Sequence, residues 1–365
     1  MRPRRTSPSR DEAMPVTRSA PLVCLVMAVI ASAAHSAEPR SPAASTAQPL
    51  PADVAIPNTR RLEFVSKINR HRYLITVALP FEPAPNKGYG VLYVLDGYTY
   101  FASAAEAVRG PDKAPGVVVV GIGYPDDPAY VQQVMARPWP AAALFNGQPP
   151  SRFAPYLERF YDLTLPTSDE SLKQMGFGGY KSQNFGGLND FLAIIESEIK
   201  PRVAALVPVD SGNQAIFGHS LGGYAVLHAM FVEPDAFRTY IIASPSIFWD
   251  NKAVLADENR FSAAVNAGRT RPRVLITMGS EESTPPALPA SWAMVENGRE
   301  LVRRLKSLHG NSGYVIEDYA VFDKTNHFFS PWPALARGIA FAFPGVHTVL
   351  KEDHPDRKET HGPTQ

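Results

Sequence analysis

One short segment of the sequence combines a nucleophilic side chain with the glycines that a sharp backbone turn requires. The segment GHSLG, residues 218–222, has the pattern Gly-x-Ser-x-Gly and stands between an apolar run and a helical pattern that opens at Leu221. In such a strand-turn-helix setting, the serine oxygen projects from the sheet as a nucleophile, and the amide of the next residue can stabilise an oxyanion. The pattern predicts that Ser220 attacks a carbonyl carbon and that Leu221 N–H is one oxyanion donor.

A serine nucleophile needs a general base, and one histidine has the chain position for it. His327 stands in a loop directly after an apolar strand pattern, C-terminal to Ser220. The chain order serine, acid, histidine predicts the base at this point. His219 adjoins the serine and should point the other way on the turn, and His228 fits helix packing. We therefore predict that His327 is the base.

The acid that orients the base should follow a strand between the serine and the histidine. Glu281 and Glu282 follow the strand pattern RVLITM, so Glu282 is the favoured acid, Glu281 is the alternative, and Asp323 competes with both. A second oxyanion amide should come from the loop after an early central strand. The strand pattern GVLYVL is followed by Asp-Gly-Tyr, which predicts a contribution from the amide of Gly97 or Tyr98.

The elements around these residues alternate between strand and helix patterns. Short runs rich in Val, Ile, Leu and Tyr predict strands at 72–79, 90–95, 117–122, 214–218, 239–243, 273–278 and 314–321. Apolar residues at helical spacing predict helices at 188–206, 221–231 and 291–308. This alternation indicates an α/β fold with a mostly parallel sheet that helices cover on both faces.

The segment 124–187 interrupts this alternation. It is rich in Pro, Gly and aromatic residues and has no long periodic stretch. Loops of this length in a compact domain are usually functional, and ligands of open α/β sheets bind beyond the carboxyl ends of the strands. We predict an ordered flap over the site.

The N-terminal residues have the pattern of an export signal. Several arginines precede the apolar run LVCLVMAVI, and small residues follow it. This order predicts a secretory signal peptide at 1–37, then a linker at 38–58, a catalytic domain at 59–345 and a polar tail at 346–365. Cleavage would leave no membrane span and would remove the single cysteine, Cys24, which suits a secreted or periplasmic protein.

Composition excludes several classes of partner. Lys and Arg number 36 and Asp and Glu number 35, so the formal net charge of +1 gives no sign of nucleic-acid binding. One cysteine cannot form a thiolate metal cage, and no cluster of His and carboxylate residues has ligand spacing. We expect no metal and no cofactor.

The residues from Gln214 to Asn251 resemble the putative-esterase group of α/β-hydrolases, which includes the enterochelin (siderophore trilactone) esterases. The segments VLDG at 94–97 and RFYDLT at 159–164 are similar to the same group, and so is the loop SPS at 244–246. The resemblance covers about residues 60–343 and implies the α/β-hydrolase fold, an esterase activity and the same Ser220, Glu282, His327 triad. Ser280 replaces a Glu that is usual in the group, which keeps Glu281 open as the acid.

The resemblance implies a serine ester hydrolase that forms an acyl-enzyme on a small-molecule ester or lactone. A catecholate siderophore would contact cations and aromatic faces, for which Arg159 and Trp249 are the candidate substrate-binding residues. A generic carboxylesterase, an acyltransferase on the same scaffold and a non-catalytic binding protein are the other hypotheses.

Overall fold

The computed structural model of the protein describes residues 55–109, 116–140, 150–283 and 288–344, without the side chains of residues 151 and 152. The predicted signal peptide, most of the predicted linker and the predicted C-terminal tail lie outside the described residues. The strands are β1 (Thr59–Val65), β2 (Arg72–Ala78), β3 (Tyr89–Val94), β4 (Val117–Gly123), β5 (Val209–His219), β6 (Thr239–Ala243), β7 (Arg273–Gly279), β8 (Val315–Ile316) and β9 (Ala320–Phe322).

These strands form one central sheet. Its order is β1-β2-β4-β3-β5-β6-β7-β8, and β9 also pairs with β7. The β1–β2 and β2–β4 pairs are antiparallel, and the remaining pairs are parallel. All seven residues of β4 are buried, as expected for a strand with helices on both sides. The predicted mostly parallel sheet is confirmed.

Helices cover both faces of the sheet. They are α1 (Gly97–Ala107), α2 (Pro128–Met135), α3 (Pro150–Asp162), α4 (Asp169–Gln174), α5 (Leu188–Ile194), α6 (Lys200–Ala204), α7 (Leu221–Val232), α8 (Trp249–Lys252), α9 (Glu258–Asn266), α10 (Met294–Lys306) and α11 (Pro331–Ala342). The apolar sides of α7 and α10 enter one core, and those of α1 and α11 enter the core on the opposite face. None of the helices in the described ranges is long and apolar enough to cross a bilayer.

Two predicted elements are interrupted in the structure. The predicted strand 314–321 forms β8 and β9, which are separated where Glu317 pairs with Arg337 and Asp318 pairs with Lys306. The predicted helix 188–206 widens into a π-helical turn at Ile195–Ile199 between α5 and α6. The antiparallel edge strand β1 was not predicted, because its half-buried and exposed residues give no continuous apolar run.

The segment predicted as a flap contains more helix than its sequence indicates. The helices α2, α3 and α4 lie within it, although residues 141–149 are outside the described ranges. Side chains cap two of these helices, because Asp127 accepts from the amide of Tyr130 and Ser168 accepts from the amide of Ser171. Pro155 inside α3 hides the helical pattern in the sequence. The segment still places side chains at the candidate site.

Candidate active site

Ser220 occupies a strained turn between β5 and α7. Its backbone has φ 62° and ψ −117°, a conformation that non-glycine residues rarely adopt. A Cβ on Gly218 would lie 2.2 Å from the carbonyl oxygen of Gly222, so a side chain does not fit at this position. The Ser220 amide donates to the carbonyl of Ala243 at the end of β6, 3.1 Å away. The close approach of Gly218 to Gly222 explains why a glycine precedes this turn. The hydrogen bond to Ala243 helps to hold the strained backbone of Ser220.

His327 and Glu282 form a buried pair beside the serine turn. His327 Nδ1 lies 2.7 Å from Glu282 Oε2, and the glutamate side chain is fully buried. The other carboxylate oxygen, Oε1, accepts hydrogen bonds from Ser244 Oγ and from the Gly279 amide, each at 2.6 Å. Burial alone would raise the pKa of Glu282, but the hydrogen bonds from His327, Ser244 and Gly279 lower it below its usual value. The carboxylate is therefore ionised and oriented toward the imidazole.

The alternative acids lie elsewhere. Glu281 is exposed, and its amide, rather than its carboxylate, bonds to the carbonyl of Thr325 at 3.0 Å. Asp323 is also exposed. The geometry brings Glu282 to His327 Nδ1 and leaves both other carboxylates at the surface.

The predicted oxyanion donors are the first amides of two helices. Leu221 begins α7 and Gly97 begins α1, and the first amides of a helix have no partner within the helix. Asp96, which precedes Gly97, has φ 53°, and a Cβ on Gly97 would lie 2.7 Å from the backbone of Gly121. Glycine at this position lets the loop after β3 pack against β4 while its amides stay available.

The two predicted substrate-binding residues take part in the protein's own packing. Arg159 on α3 forms a buried bidentate ion pair with Asp96, with distances of 2.7 and 3.0 Å. The indole of Trp249 is fully buried, and its ring centre lies 5.1 Å from that of Phe177. Both residues line the cavity at Ser220, but the charge of Arg159 is matched by Asp96. The sequence could not show this pair, because its members belong to separate elements.

Ser220 and His327 line a cavity of about 210 Å³ whose walls are mainly aromatic. The ring of Trp292 stacks on Phe248, with centres 4.1 Å apart and planes 9° apart, and it also stacks on Phe177. Residues of α3 and of the turn after α4 complete the wall, so the flap contributes directly to the cavity. Ser246 also lines it, and its Oγ lies 3.5 Å from Ser220 Oγ.

A second cavity is lined in part by the same two residues. Ser220 and His327 line this space as well, together with Tyr98 and Trp332, which are about two-fifths exposed. An ester has an acyl part and an alcohol part, and the two cavities provide space for both. Across the described ranges, no group of three or more His, Cys, Asp or Glu side chains is arranged to hold a metal ion.

Comparison with known proteins gives the family of this chain. Residues 163–335 match the family model described as "Putative esterase". The ferri-bacillibactin esterase BesA of Bacillus subtilis is 31% identical over 294 residues, which cover 79% of this chain and 90% of that protein. This chain belongs to that esterase family.

Other relatives of this esterase are similar in sequence or in fold. The siderophore enterobactin esterase of Emericella nidulans is 32% identical over 209 residues, covering 55% of this chain and 61% of that protein. The crystal structure of the BES protein from Bacillus cereus has a TM-score of 0.64 and 30% identity, and the match covers 80% of this chain and 98% of that one. The match to known esterase structures confirms the predicted α/β-hydrolase fold.

Sequence reasoning did not assign roles to three of the side chains that contact the site of this esterase. They are Asp96, which pairs with Arg159, and Ser244 and Ser246, which face Glu282 and Ser220. Ser244 and Ser246 belong to the loop SPS. The resemblance of this loop to the esterase family was the one sequence feature that could have pointed to these two serines. Asp96 directly precedes the predicted oxyanion glycine, and its pairing with α3 depends on the fold.

Proposed function

We propose that this esterase is a serine hydrolase that works through a covalent acyl-enzyme. The observation that carries the proposal is the buried Glu282–His327 pair, joined at 2.7 Å, at a cavity that the strained Ser220 also lines. Because His327 Nδ1–H is held by the carboxylate, the imidazole Nε2 is the nitrogen that is free to accept a proton.

The reaction proceeds in two acyl-transfer steps. His327 Nε2 takes the hydroxyl proton of Ser220 while Ser220 Oγ attacks the ester carbonyl carbon. The amides of Leu221 and of Gly97 or Tyr98 donate hydrogen bonds to the resulting oxyanion. The imidazolium of His327 then gives its proton to the departing alcohol, and an acyl ester on Ser220 remains. Water, deprotonated by the same imidazole, attacks this ester and releases the acid and the free serine.

We propose a siderophore-type lactone or ester as the substrate. The names of the relatives support this class, because they describe esterases of ferri-bacillibactin and of enterobactin. The aromatic walls of the main cavity, formed in part by Phe177, Phe248 and Trp292, fit a substrate with planar rings, because ring pairs add about 0.5–1.5 kcal/mol each to the burial of apolar area.

We also propose that the protein is exported before it acts. The basic, apolar and small residues of positions 1–37 support a cleaved signal. Mass spectrometry of the protein recovered from its native cells tests this proposal. A mature N-terminus near residue 38 supports export, and an intact N-terminus in the cytoplasmic fraction contradicts it.

The function is tested by comparing wild type with Ser220→Ala on a p-nitrophenyl ester and on a catecholate trilactone. We expect Ser220→Ala to lower kcat by about 10⁶-fold, as loss of the nucleophile does in serine hydrolases. Ser197→Ala is the matched control, because Ser197 is exposed on a distant helical turn. A wild-type protein that cleaves neither substrate, or a Ser220→Ala protein that remains active, would contradict the proposal.

A further inference from the structure

A row of buried polar side chains that the mechanism above does not use runs behind Glu282. Ser244 Oγ lies 2.6 Å from Glu282 Oε1, and Ser330 Oγ lies 3.0 Å from Ser244 Oγ. His219 Nε2 lies 3.2 Å from Ser330 Oγ, and Tyr100 OH lies 3.1 Å from His219 Nδ1. The five residues come from five separate parts of the fold, namely α1, the end of β5, the loop after β6, the loop after β7 and the start of α11.

The chemistry of the groups decides which of the two nitrogens of His219 carries a proton. An ionised carboxylate only accepts, so the single hydroxyl proton of Ser244 is donated to Glu282. Ser330 then has one hydroxyl proton for two acceptors, Ser244 Oγ at 3.0 Å and the carbonyl oxygen of His327 at 3.2 Å. Since that proton is used, the contact between Ser330 and His219 needs Nε2–H of the imidazole as donor. His219 Nδ1 is left as an acceptor, and the hydroxyl of Tyr100 donates to it.

This assignment requires that His219 is uncharged, and its surroundings agree. Burial lowers the pKa of His219 well below its usual value, and a protonated His327 and the charge of Arg159 lower it further. The two imidazole rings have centres 4.5 Å apart, and Arg159, paired with Asp96, donates to the His219 carbonyl at 3.4 Å. Through its hydrogen bond to the carbonyl oxygen of His327, Ser330 also contacts the backbone of the base.

We propose that His219, Ser330 and Ser244 are positioning residues for the esterase reaction. They form, with Tyr100, a connected chain of hydrogen-bonding groups that reaches both Glu282 Oε1 and the carbonyl oxygen of His327, so that Oε2 faces His327. The chain also links the helix α1, whose first amides are predicted oxyanion donors, to the acid and base. A neutral His219 beside His327 adds no repulsion when the base becomes an imidazolium. This inference rests on the proposed function, because positioning has a consequence only if His327 acts as the base.

The tautomer of His219 tests the chain without any substrate. In protein labelled with ¹⁵N-histidine, we expect the His219 signals, assigned with a His219→Asn variant, to show protonated Nε2 and unprotonated Nδ1. They should not titrate between about pH 5 and 8, the range in which an ordinary histidine changes charge. Ser330→Ala should move the Nε2 signal, and Ser197→Ala should not. An Nδ1–H tautomer, or titration of His219 in this range, would overturn the inference.

Coupling between the two ends of the chain tests its effect on catalysis. We expect Tyr100→Phe to lower kcat by about 5–10-fold and Ser244→Ala by about 10–100-fold, the costs of a neutral and of a charge-assisted hydrogen bond. The double variant should lose at least threefold less than the product of these factors, with KM within about twofold of wild type. Independent positions multiply to within about a factor of two. Tyr314→Phe, whose hydroxyl bonds to Leu305 O away from the site, is the control for Tyr100→Phe.

The two experiments separate failure of the inference from failure of the proposed function. If the factors simply multiply while the wild type is an active Ser220-dependent esterase, the positioning role is wrong and the function stands. If the expected tautomer is present but no ester is cleaved, the proposed function fails, and with it the catalytic role of the chain.

Discussion

The replacement Glu282→Gln should impose the wrong tautomer on the base. Glu282 Oε1 accepts from Ser244 Oγ and from the Gly279 amide, so an amide side chain would place its single oxygen there. Its NH₂ group would then face His327 Nδ1, which is 2.7 Å from the second carboxylate oxygen. Nδ1 would become an acceptor and Nε2 would carry the proton. In that state His327 cannot take the proton of Ser220.

The size of the effect follows from this change of tautomer. In serine hydrolases, an amide in place of the orienting acid lowers kcat by about 10⁴-fold, which corresponds to about 5.4 kcal/mol of lost transition-state stabilisation. Because the amide conserves the shape of the side chain, KM should stay within a few fold of wild type. The measurement is the full dependence of the initial rate on p-nitrophenyl ester concentration, with folding checked by circular dichroism.

The neighbouring residue, Glu281, provides the control for Glu282→Gln. Glu281 is exposed, and Glu281→Gln removes the same charge one residue away, so it should leave kcat within about twofold. A Glu282→Gln protein that keeps more than a tenth of wild-type kcat, or a large loss in Glu281→Gln, would refute the assignment of Glu282 as the acid.

Three further predictions concern the ion pairs and the cavity. Arg159→Met leaves Asp96 buried without its partner and should lower the free energy of unfolding by about 3–5 kcal/mol in urea denaturation; a loss under 1 kcal/mol would contradict the pairing. Trp292→Ala removes a stacked wall and should raise KM about tenfold for an aromatic ester but not for an acetate ester of ethanol; equal effects would show that rings do not bind there. The contact of Glu158 Oε1 with His71 Nδ1, 3.2 Å away, raises the pKa of His71 above 6.5. This contact and Arg137, acting against burial, lower the pKa of Glu158 below 4.5. The pair therefore stabilises the fold between these limits, and His71→Gln should lower the free energy of unfolding more at pH 5.5 than at pH 9; a cost independent of pH would contradict this.

The sequence predicts those features of the site that depend on neighbouring residues, but not those that depend on contacts between distant residues. The turn at Ser220 was predictable because glycine, serine and the flanking strand and helix patterns lie within a few residues of each other. His327 and Glu282 were placed by chain order and by strand ends, which fix the edge of the sheet but not which of two adjacent glutamates turns inward. Glu282 does so because Oε1 meets the amide of Gly279 and the hydroxyl of Ser244.

The contacts that hold the site residues in position could not be predicted from the sequence. Arg159 and Asp96 meet across 63 positions of the chain, and His219 and Ser330 meet across 111. A charged flap residue and a histidine beside the serine fit substrate binding or packing equally well until the partners are known. In the flap, Pro155 obscures the periodicity of α3, whose formation depends on tertiary packing more than on helix propensity.

The central claim, that Ser220 is acylated during turnover, is tested most directly by acid-quenched mass spectrometry. Wild type mixed with excess p-nitrophenyl ester should gain one acyl group within the first turnover, and peptide mapping should locate it on the peptide that contains Ser220. The acylated fraction should disappear as substrate is exhausted. Absence of an acyl adduct in a protein that releases p-nitrophenol in a stoichiometric burst, or an adduct on another residue, would contradict the mechanism.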